Sequence, residues 1–213
     1  MKIQYLGHSA FRLISDLGMT ILCDPYDADI VGYSMPKVQC DLVTESHHHP
    51  DHDYEAGVKG DPSIVDCKCA FLADDVSVES FECFHDPYGG TKRGDNLAFK
   101  FDFAGGLSVV HLGDVGERNQ RLIEDLGKVS VLLVPVGGYY TIGAEDAKWY
   151  VDNLHPSVVV PMHYAQGGRI KIDDARAFLR LFDGNVIKKT GDTLSFDEAP
   201  EGFCVAVMER FCE

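Results

Sequence analysis

The sequence predicts an α/β layered fold built on mixed β-sheets. Three observations carry that expectation. The first half is a succession of short apolar-rich runs punctuated by turn residues, which is the mark of strands. From residue 118 onward, such runs alternate with stretches of helical periodicity. Residues 129–136 and 158–160 are almost unbrokenly apolar, as expected of strands covered on both faces.

In chain order, residues 2–6, 10–15 and 19–23 read as strands, with Asp16, Leu17 and Gly18 turning between the last two. Residues 25–40 contain Pro25, Gly32 and Pro36 and read as a loop. Residues 42–45 read as a short strand running into a histidine cluster, and Pro50 is a place where a helix could begin. Strands follow at about 63–72, 77–85, 96–103 and 107–113, the last two joined as a hairpin by Gly105 and Gly106. Residues 118–126 read as a helix. Residues 144–154 do too, because Ala147, Tyr150, Val151 and Leu154 recur at helical spacing. Ala175, Phe178, Leu179 and Phe182 repeat that spacing, with Gly184 as the expected C-terminal cap. Strands near 186–189, 193–196 and 203–209 complete the chain.

Composition narrows the function. The chain has 213 residues, 45% of them hydrophobic and 25% charged, which suits one globular domain over residues 1–213. Acids outnumber bases 34 to 19, for a net charge of −15, which is the wrong sign for a nucleic-acid footprint. No apolar run approaches the ~20 residues of a membrane span. The N-terminal segment lacks a basic stretch followed by an apolar one, so no signal peptide is expected. With seven cysteines and no such signal, the expected compartment is the reducing cytoplasm.

The chemistry is concentrated between residues 45 and 53. Four of the nine histidines fall within residues 47–52, in the pattern H-x-H-x-D-H: His47, His49, Asp51 and His52. In extended backbone His47 and His49 point to one side. Imidazoles with one carboxylate suit zinc, and also manganese or iron. The alternative is a surface histidine tract with incidental metal affinity. Three distant residues join the cluster: His85, Asp114 and His163. Each ends an apolar run, at the C-terminal end of an expected strand, where open α/β sheets carry their sites.

With these residues in place, the chain resembles the metallo-β-lactamase-fold hydrolases. The likeness runs through Tyr5-Leu6-Gly7-His8-Ser9, Ile21-Leu22-Cys23-Asp24-Pro25, the His47–His52 motif, Arg93-Gly94-Asp95-Asn96, His111-Leu112-Gly113-Asp114 and Pro161-Met162-His163-Tyr164. The Gly-His-Ser opening and the Pro-Met-His-Tyr segment resemble the branch of L-ascorbate-6-phosphate lactonase-like proteins and uncharacterised metal-dependent hydrolases. The resemblance implies a four-layer αββα sandwich with two mixed sheets and two divalent metals at one edge. His47, His49 and His85 would hold the first metal, Asp51, His52 and His163 the second, and Asp114 would bridge them. It implies zinc, with manganese or iron as alternatives, and a metal-bound hydroxide attacking a small ester, lactone or phosphoester. Asp51, Asp114 and His8 are the expected catalytic residues, His8 facing substrate or supporting the ligands. The alternatives are an iron-dependent oxidoreductase of the same fold and a non-catalytic metal-binding or interaction module.

Other residues carry smaller expectations. His48 should face solvent or sit behind the ligands, and Asp53 should cap a helix, the alternative being to orient a ligand histidine. Asp24 should support the metal ligands, or else only turn the chain. His111, His155, Cys83, Trp149 and the Cys67/Cys69 pair are expected to be structural. Lys92, Arg93, Arg169 and Lys171 lie in loop-like stretches, either to clamp an anionic small-molecule substrate or as ordinary surface charge. Gly137-Gly138-Tyr139-Tyr140 reads as a pocket rim.

Overall fold

The computed structural model describes residues 1–212. Two mixed sheets face each other. The first joins β1 (Lys2–Gly7), β2 (Ala10–Ile14), β3 (Thr20–Cys23), β4 (Leu42–Thr44), β5 (Ser63–Val65) and β13 (Thr193–Ser195), in the order β13-β1-β2-β3-β4-β5. The second joins β6 (Ala70–Ala73), β7 (Val76–Phe84), β8 (Asp95–Phe103), β9 (Leu107–His111), β10 (Val131–Pro135), β11 (Val158–Met162), β12 (Ile187–Thr190) and β14 (Cys204–Met208). Their order is β12-β14-β11-β10-β9-β8-β7-β6. β9, β10 and β11 run parallel, which explains their unbroken apolar sequence.

Strand alternation sorts the apolar residues into three cores. Ile3, Tyr5, Phe11, Leu13 and Ile21 of the first sheet meet Phe99, Phe101, Val131 and Leu133 of the second between the layers. The opposite face of the second sheet, through Val110, Leu132, Val134 and Val159, packs under α2 (Gln120–Leu126) and α3 (Ala144–Leu154). α4 (Arg176–Leu179) adds Phe178 to that layer. The outer face of the first sheet is covered differently. There Leu6, Leu22 and Val43 lie under α1 (Ala28–Val31) and the coil around Val38 and Cys40. The αββα sandwich is therefore present, with one outer layer of three helices and the other mostly coil.

Four local expectations are corrected. Residues 63–72 are not one strand. β5 pairs parallel with β4, and the chain then crosses to start the other sheet as β6. The expected loop at 25–40 contains α1, capped by the Asp27 carboxylate on the Asp29 N–H and ended by Gly32 at φ 94°. The helix after residue 175 stops at Leu179, and Gly184 opens a 3-10 turn rather than capping it. No helix begins at Pro50. The N–H groups of His52 and Asp53 both bond to the His49 carbonyl, closing a single turn that does not propagate. Asp53 consequently caps nothing; its carboxylate lies 3.5 Å from exposed His48.

Candidate metal centre

The site sits on one edge of the sandwich, at the C-terminal ends of strands from both sheets. From the first sheet, β1 delivers His8, β3 delivers Asp24, and β4 leads into His47, His49, Asp51 and His52. From the second, β7 delivers His85, β9 leads to Asp114 and β11 delivers His163. Three of these residues, His8, Asp24 and His163, have left-handed φ values of 53°, 47° and 49°. Non-glycine residues rarely adopt that conformation, and here it turns each strand end abruptly into the site. Two backbone hydrogen bonds hold the sheets together at this edge: His163 N–H to the His8 carbonyl (3.0 Å) and Leu97 N–H to the Ser46 carbonyl (2.8 Å).

The side chains form three overlapping groups whose donor atoms lie within 4.8 Å of one another. One is His47, His49 and His85; one is His8, Asp51, His52 and His163; the third is His47, His52 and Asp114. The third group shares His47 with the first and His52 with the second. Asp114 is the hub. Its Oδ2 lies 3.1 Å from His163 Nε2, 3.3 Å from His52 Nε2, 3.5 Å from His85 Nε2 and 4.0 Å from His47 Nε2.

The donors fit a divalent cation. Among the described residues, His47 Nε2, His52 Nε2 and Asp114 Oδ1 are buried without a hydrogen-bond partner. Orphaned polar atoms are costly inside a protein, and a bound cation would satisfy them. The electrostatics ask for positive charge there. Burial pulls His52 down, yet the Asp114 and Asp51 carboxylates outweigh it and hold the imidazole well above its ordinary pKa. Burial opposes ionisation of Asp114, but the surrounding His163 and His52 keep its carboxyl well below the usual range. Burial lowers His47 and His85, so both present neutral imidazoles, the form that ligates metal.

A supporting layer fixes these ligands. Asp24 accepts from His52 Nδ1 (2.8 Å), Ser46 Oγ (2.6 Å) and the Ser46 N–H (2.8 Å). Ser46 Oγ also lies 2.9 Å from His47 Nδ1, so one serine and one aspartate orient two histidines. The Asn96 side-chain oxygen accepts the Asp114 N–H at 2.8 Å. Asp24 thus has the supporting position rather than a mere turn. Ser46 is not legible in the sequence, because a serine beside a histidine motif carries no signal of its own.

His8 lies behind Asp51, with Nε2 3.1 Å from Asp51 Oδ2 and its ring centroid 4.3 Å from that of His163. It is 1% exposed and does not line the adjoining cavity, so its contacts are with the Asp51 and His163 side chains rather than with anything in the opening. Burial and the neighbouring His163 bring its pKa down to about 4, so it is neutral. His111 bonds the Ser9 carbonyl at 2.8 Å and is structural. His155 ends α3, Cys83 pairs with Asn96, Trp149 packs beside α3's Tyr150, and Cys67 and Cys69 lie outside the three groups.

A cavity of about 660 Å³ opens onto the centre. His49, Asp51, His85 and Asp114 form its floor, and Ile30, Pro50, Tyr140 and Ile170 its apolar wall. Lys92, Arg93, Arg169 and Lys171 also line it, and of the expected rim at Gly137-Gly138-Tyr139-Tyr140 it is Tyr140 that does so.

With this geometry established, the comparisons with known proteins have a physical counterpart. Residues 2–163 match the family described as a beta-lactamase superfamily domain. The chain is 31% identical over 190 residues to a UPF0173 protein of Pyrococcus furiosus, covering 77% of this chain and 83% of that one. The chain belongs to the UPF0173 family of the β-lactamase superfamily. It is 28% identical to a UPF0173 metal-dependent hydrolase of Methanosphaera stadtmanae, over 77% of this chain and 84% of that one. A crystal structure of a Thermotoga maritima protein, proposed to be a zinc-dependent hydrolase of the metallo-β-lactamase superfamily, is similar throughout. The identity is 37%, the TM-score 0.81, and 97% of each chain is covered. The UPF0173 chain therefore has the metallo-β-lactamase fold. No helix among the described residues is long and apolar enough to cross a membrane.

Proposed function

We propose that this chain is a hydrolase with a dinuclear metal centre that cleaves a small ester, lactone or phosphoester. The observation that carries the reading is the overlap of the three donor groups: Asp114 belongs to a set that shares one histidine with each of the other two. Two ions, one in each outer group, with the Asp114 carboxylate between them would account for that overlap. His47, His49 and His85 would hold one ion, Asp51, His52 and His163 the other, and Asp114 both. The UPF0173 relatives named as metal-dependent hydrolases support the reaction class. The likeness to ascorbate-phosphate lactonases in the opening and closing motifs supports a lactone among the candidate bonds. Five histidines among the seven ligands favour zinc, with manganese or iron as substitutes.

Divalent ions held here would supply Lewis acidity and lower the pKa of water toward neutrality. The chain's own residues do the rest. Asp24 accepts the His52 Nδ1 proton and thereby fixes which nitrogen faces the centre. His8, neutral, donates from Nε2 to Asp51 Oδ2 and orients that carboxylate. Asp114, whose Oδ2 lies near His163, His52, His85 and His47, would hold the two triads together. The apolar wall of Ile30 and Ile170 limits water around a bound molecule.

The test is metal analysis followed by a screen of esters, lactones and phosphodiesters. Two divalent ions per chain are expected, and Asp114→Asn should lose activity by orders of magnitude while the fold survives. Activity undiminished in Asp114→Asn, or in metal-free protein, refutes the reading. Visible absorbance from bound iron, with no hydrolysis, would favour the oxidoreductase.

A further inference from the structure

The cavity mouth is cationic on a protein that is strongly anionic. Lys92 and Arg93 come from the loop between β7 and β8, and Arg169 and Lys171 from the loop after β11. Bases are outnumbered 34 to 19 in the chain, yet none of these four has a carboxylate partner within 4.0 Å among the described residues. Their contacts leave the charge unspent. The Lys92 ammonium lies 3.8 Å from the Tyr88 ring centre and the Arg93 guanidinium 5.3 Å from that of Tyr140. Arg169 uses one donor on the Asp29 carbonyl at 2.6 Å.

Both loops are built to hold these positions. Buried Asp86 accepts the backbone N–H groups of Tyr88, Lys92 and Arg93, each at 2.8 Å, so its carboxylate folds the loop that presents the first pair. On the opposite side the Arg169 N–H bonds the Val31 carbonyl, and the Asp173 N–H bonds the Gly137 carbonyl, both at 2.8 Å. Gly168 lies so close to α1 that a β-carbon there would stand 2.3 Å from the Val31 carbonyl oxygen. A loop pinned in this way has little ordering entropy left to lose when a ligand arrives. Ordinary surface lysines and arginines require none of this.

We propose that Lys92, Arg93, Arg169 and Lys171 form an anion subsite, selecting substrates that carry a carboxylate or phosphate apart from the bond that is cleaved. The inference rests on the hydrolase reading for the floor of the cavity. Its own evidence is the cations at the mouth, with the apolar wall of Ile30, Ile170 and Tyr140 spanning the distance between. A volume of about 660 Å³ suits a small molecule with a reactive group at one end and an anion at the other.

The experiment compares metal-loaded wild type with Arg93→Gln/Arg169→Gln and with Lys188→Gln/Lys189→Gln, the latter an equal charge change outside the cavity. Two readouts are taken. The first is kcat/KM for nitrophenyl esters with and without a terminal carboxylate. The second is calorimetric binding of succinate and of glycerol phosphate, which needs no turnover. The anionic-over-neutral kcat/KM ratio should fall about tenfold in the Arg93/Arg169 pair, mainly through KM, and stay constant in the Lys188/Lys189 pair. Succinate or glycerol phosphate binding should weaken by a similar factor, and the probe that weakens more names the anion. An unchanged ratio with unchanged binding, or equal losses in both pairs, overturns the subsite. If no ester, lactone or phosphodiester turns over, the hydrolase reading fails and calorimetry still decides the subsite. Lys92→Gln/Lys171→Gln, both exposed, repeats the test should the arginine pair not fold.

Discussion

Gly116→Ala should damage the centre without touching a ligand. Gly116 lies two residues beyond Asp114, and its N–H donates to the Phe84 carbonyl at 2.8 Å, tying it to the strand that ends at His85. A β-carbon at 116 would stand 2.4 Å from the His85 carbonyl carbon and 2.5 Å from both the His85 oxygen and the Asp86 nitrogen. Every one of those atoms is backbone, so no rotamer change relieves the overlap. Restoring ordinary contact at 3.4 Å requires the two segments to part by about 1 Å. Overpacking of this kind costs about 1–3 kcal/mol, a fall in Tm of about 3–10 °C for a chain of this size. His85 moves with its backbone, so affinity for zinc should drop about 10–100-fold, as when a ligand loses its support. Thermal melts in chelator isolate the folding cost, and zinc titration against a chromophoric chelator isolates the ligand displacement. Gly191→Ala is the control: open space surrounds it and its φ is ordinary, so Tm should stay within about 2 °C. A Gly116→Ala protein that melts and binds zinc like wild type refutes the close approach.

Three further outcomes are expected. Asp24→Asn leaves His52 Nδ1 without its carboxylate, so zinc affinity should fall about 10–100-fold with secondary structure intact by circular dichroism; unchanged affinity contradicts the orienting role. Saturating divalent metal at a hundredfold excess over Kd should add about 2.7 kcal/mol per ion, a rise in Tm of about 5–10 °C over chelated protein; superimposable melts with metal loss verified contradict the proposed ion positions. Asp41 accepts the Thr20 side-chain hydroxyl first and the Thr20 backbone N–H second, and these hold its carboxyl below the usual range. A depressed folded-state pKa contributes stability above the unfolded value of ~3.9, and that contribution is lost as pH falls through the folded value. Asp41→Asn should therefore cost stability at pH 6, under about 1 kcal/mol because the group is exposed, and the gap in urea midpoints should close toward pH 3; a gap that grows on acidification is the refuting result.

The residues that the fold brings together at this edge were legible because each carries its own local signal. The H-x-H-x-D-H pattern within six residues needs no tertiary information, and the strands ending at His85, Asp114 and His163 are apolar enough to be read alone. The errors fall where long-range contact decides. Residues 63–65 and 70–73 look alike in sequence, but parallel pairing with β4 claims the first and antiparallel pairing with β7 the second. The turn after His49 begins like a helix and stops because the Tyr54 N–H is claimed by the Pro25 carbonyl. α1 is four residues long, too short for periodicity, although Asp27 and Gly32 mark its two ends. Asp86 carries no signal for the opposite reason: it is a lone acid beside His85, and only the folded loop gives its carboxylate three N–H groups to bind.

The layout of the site bears on how the whole molecule coheres. Each of the two outer donor groups draws from both sheets: His47 and His49 with His85, and His8, Asp51 and His52 with His163. The sheets meet mainly through non-directional apolar packing, which resists separation better than sliding. Directional contacts at the site edge supply the missing constraint, through the His163–His8 and Leu97–Ser46 backbone bonds. Left-handed backbone at His8, Asp24 and His163 costs free energy that only a well-packed surround can sustain. An ion in either group would add bonds across the same seam, in register with those backbone bonds. The donors proposed to carry the chemistry would thus also help to fix one sheet against the other. For that reason metal affinity and resistance to unfolding should rise and fall together in variants at this edge, while substitutions under α2 and α3 should change stability alone.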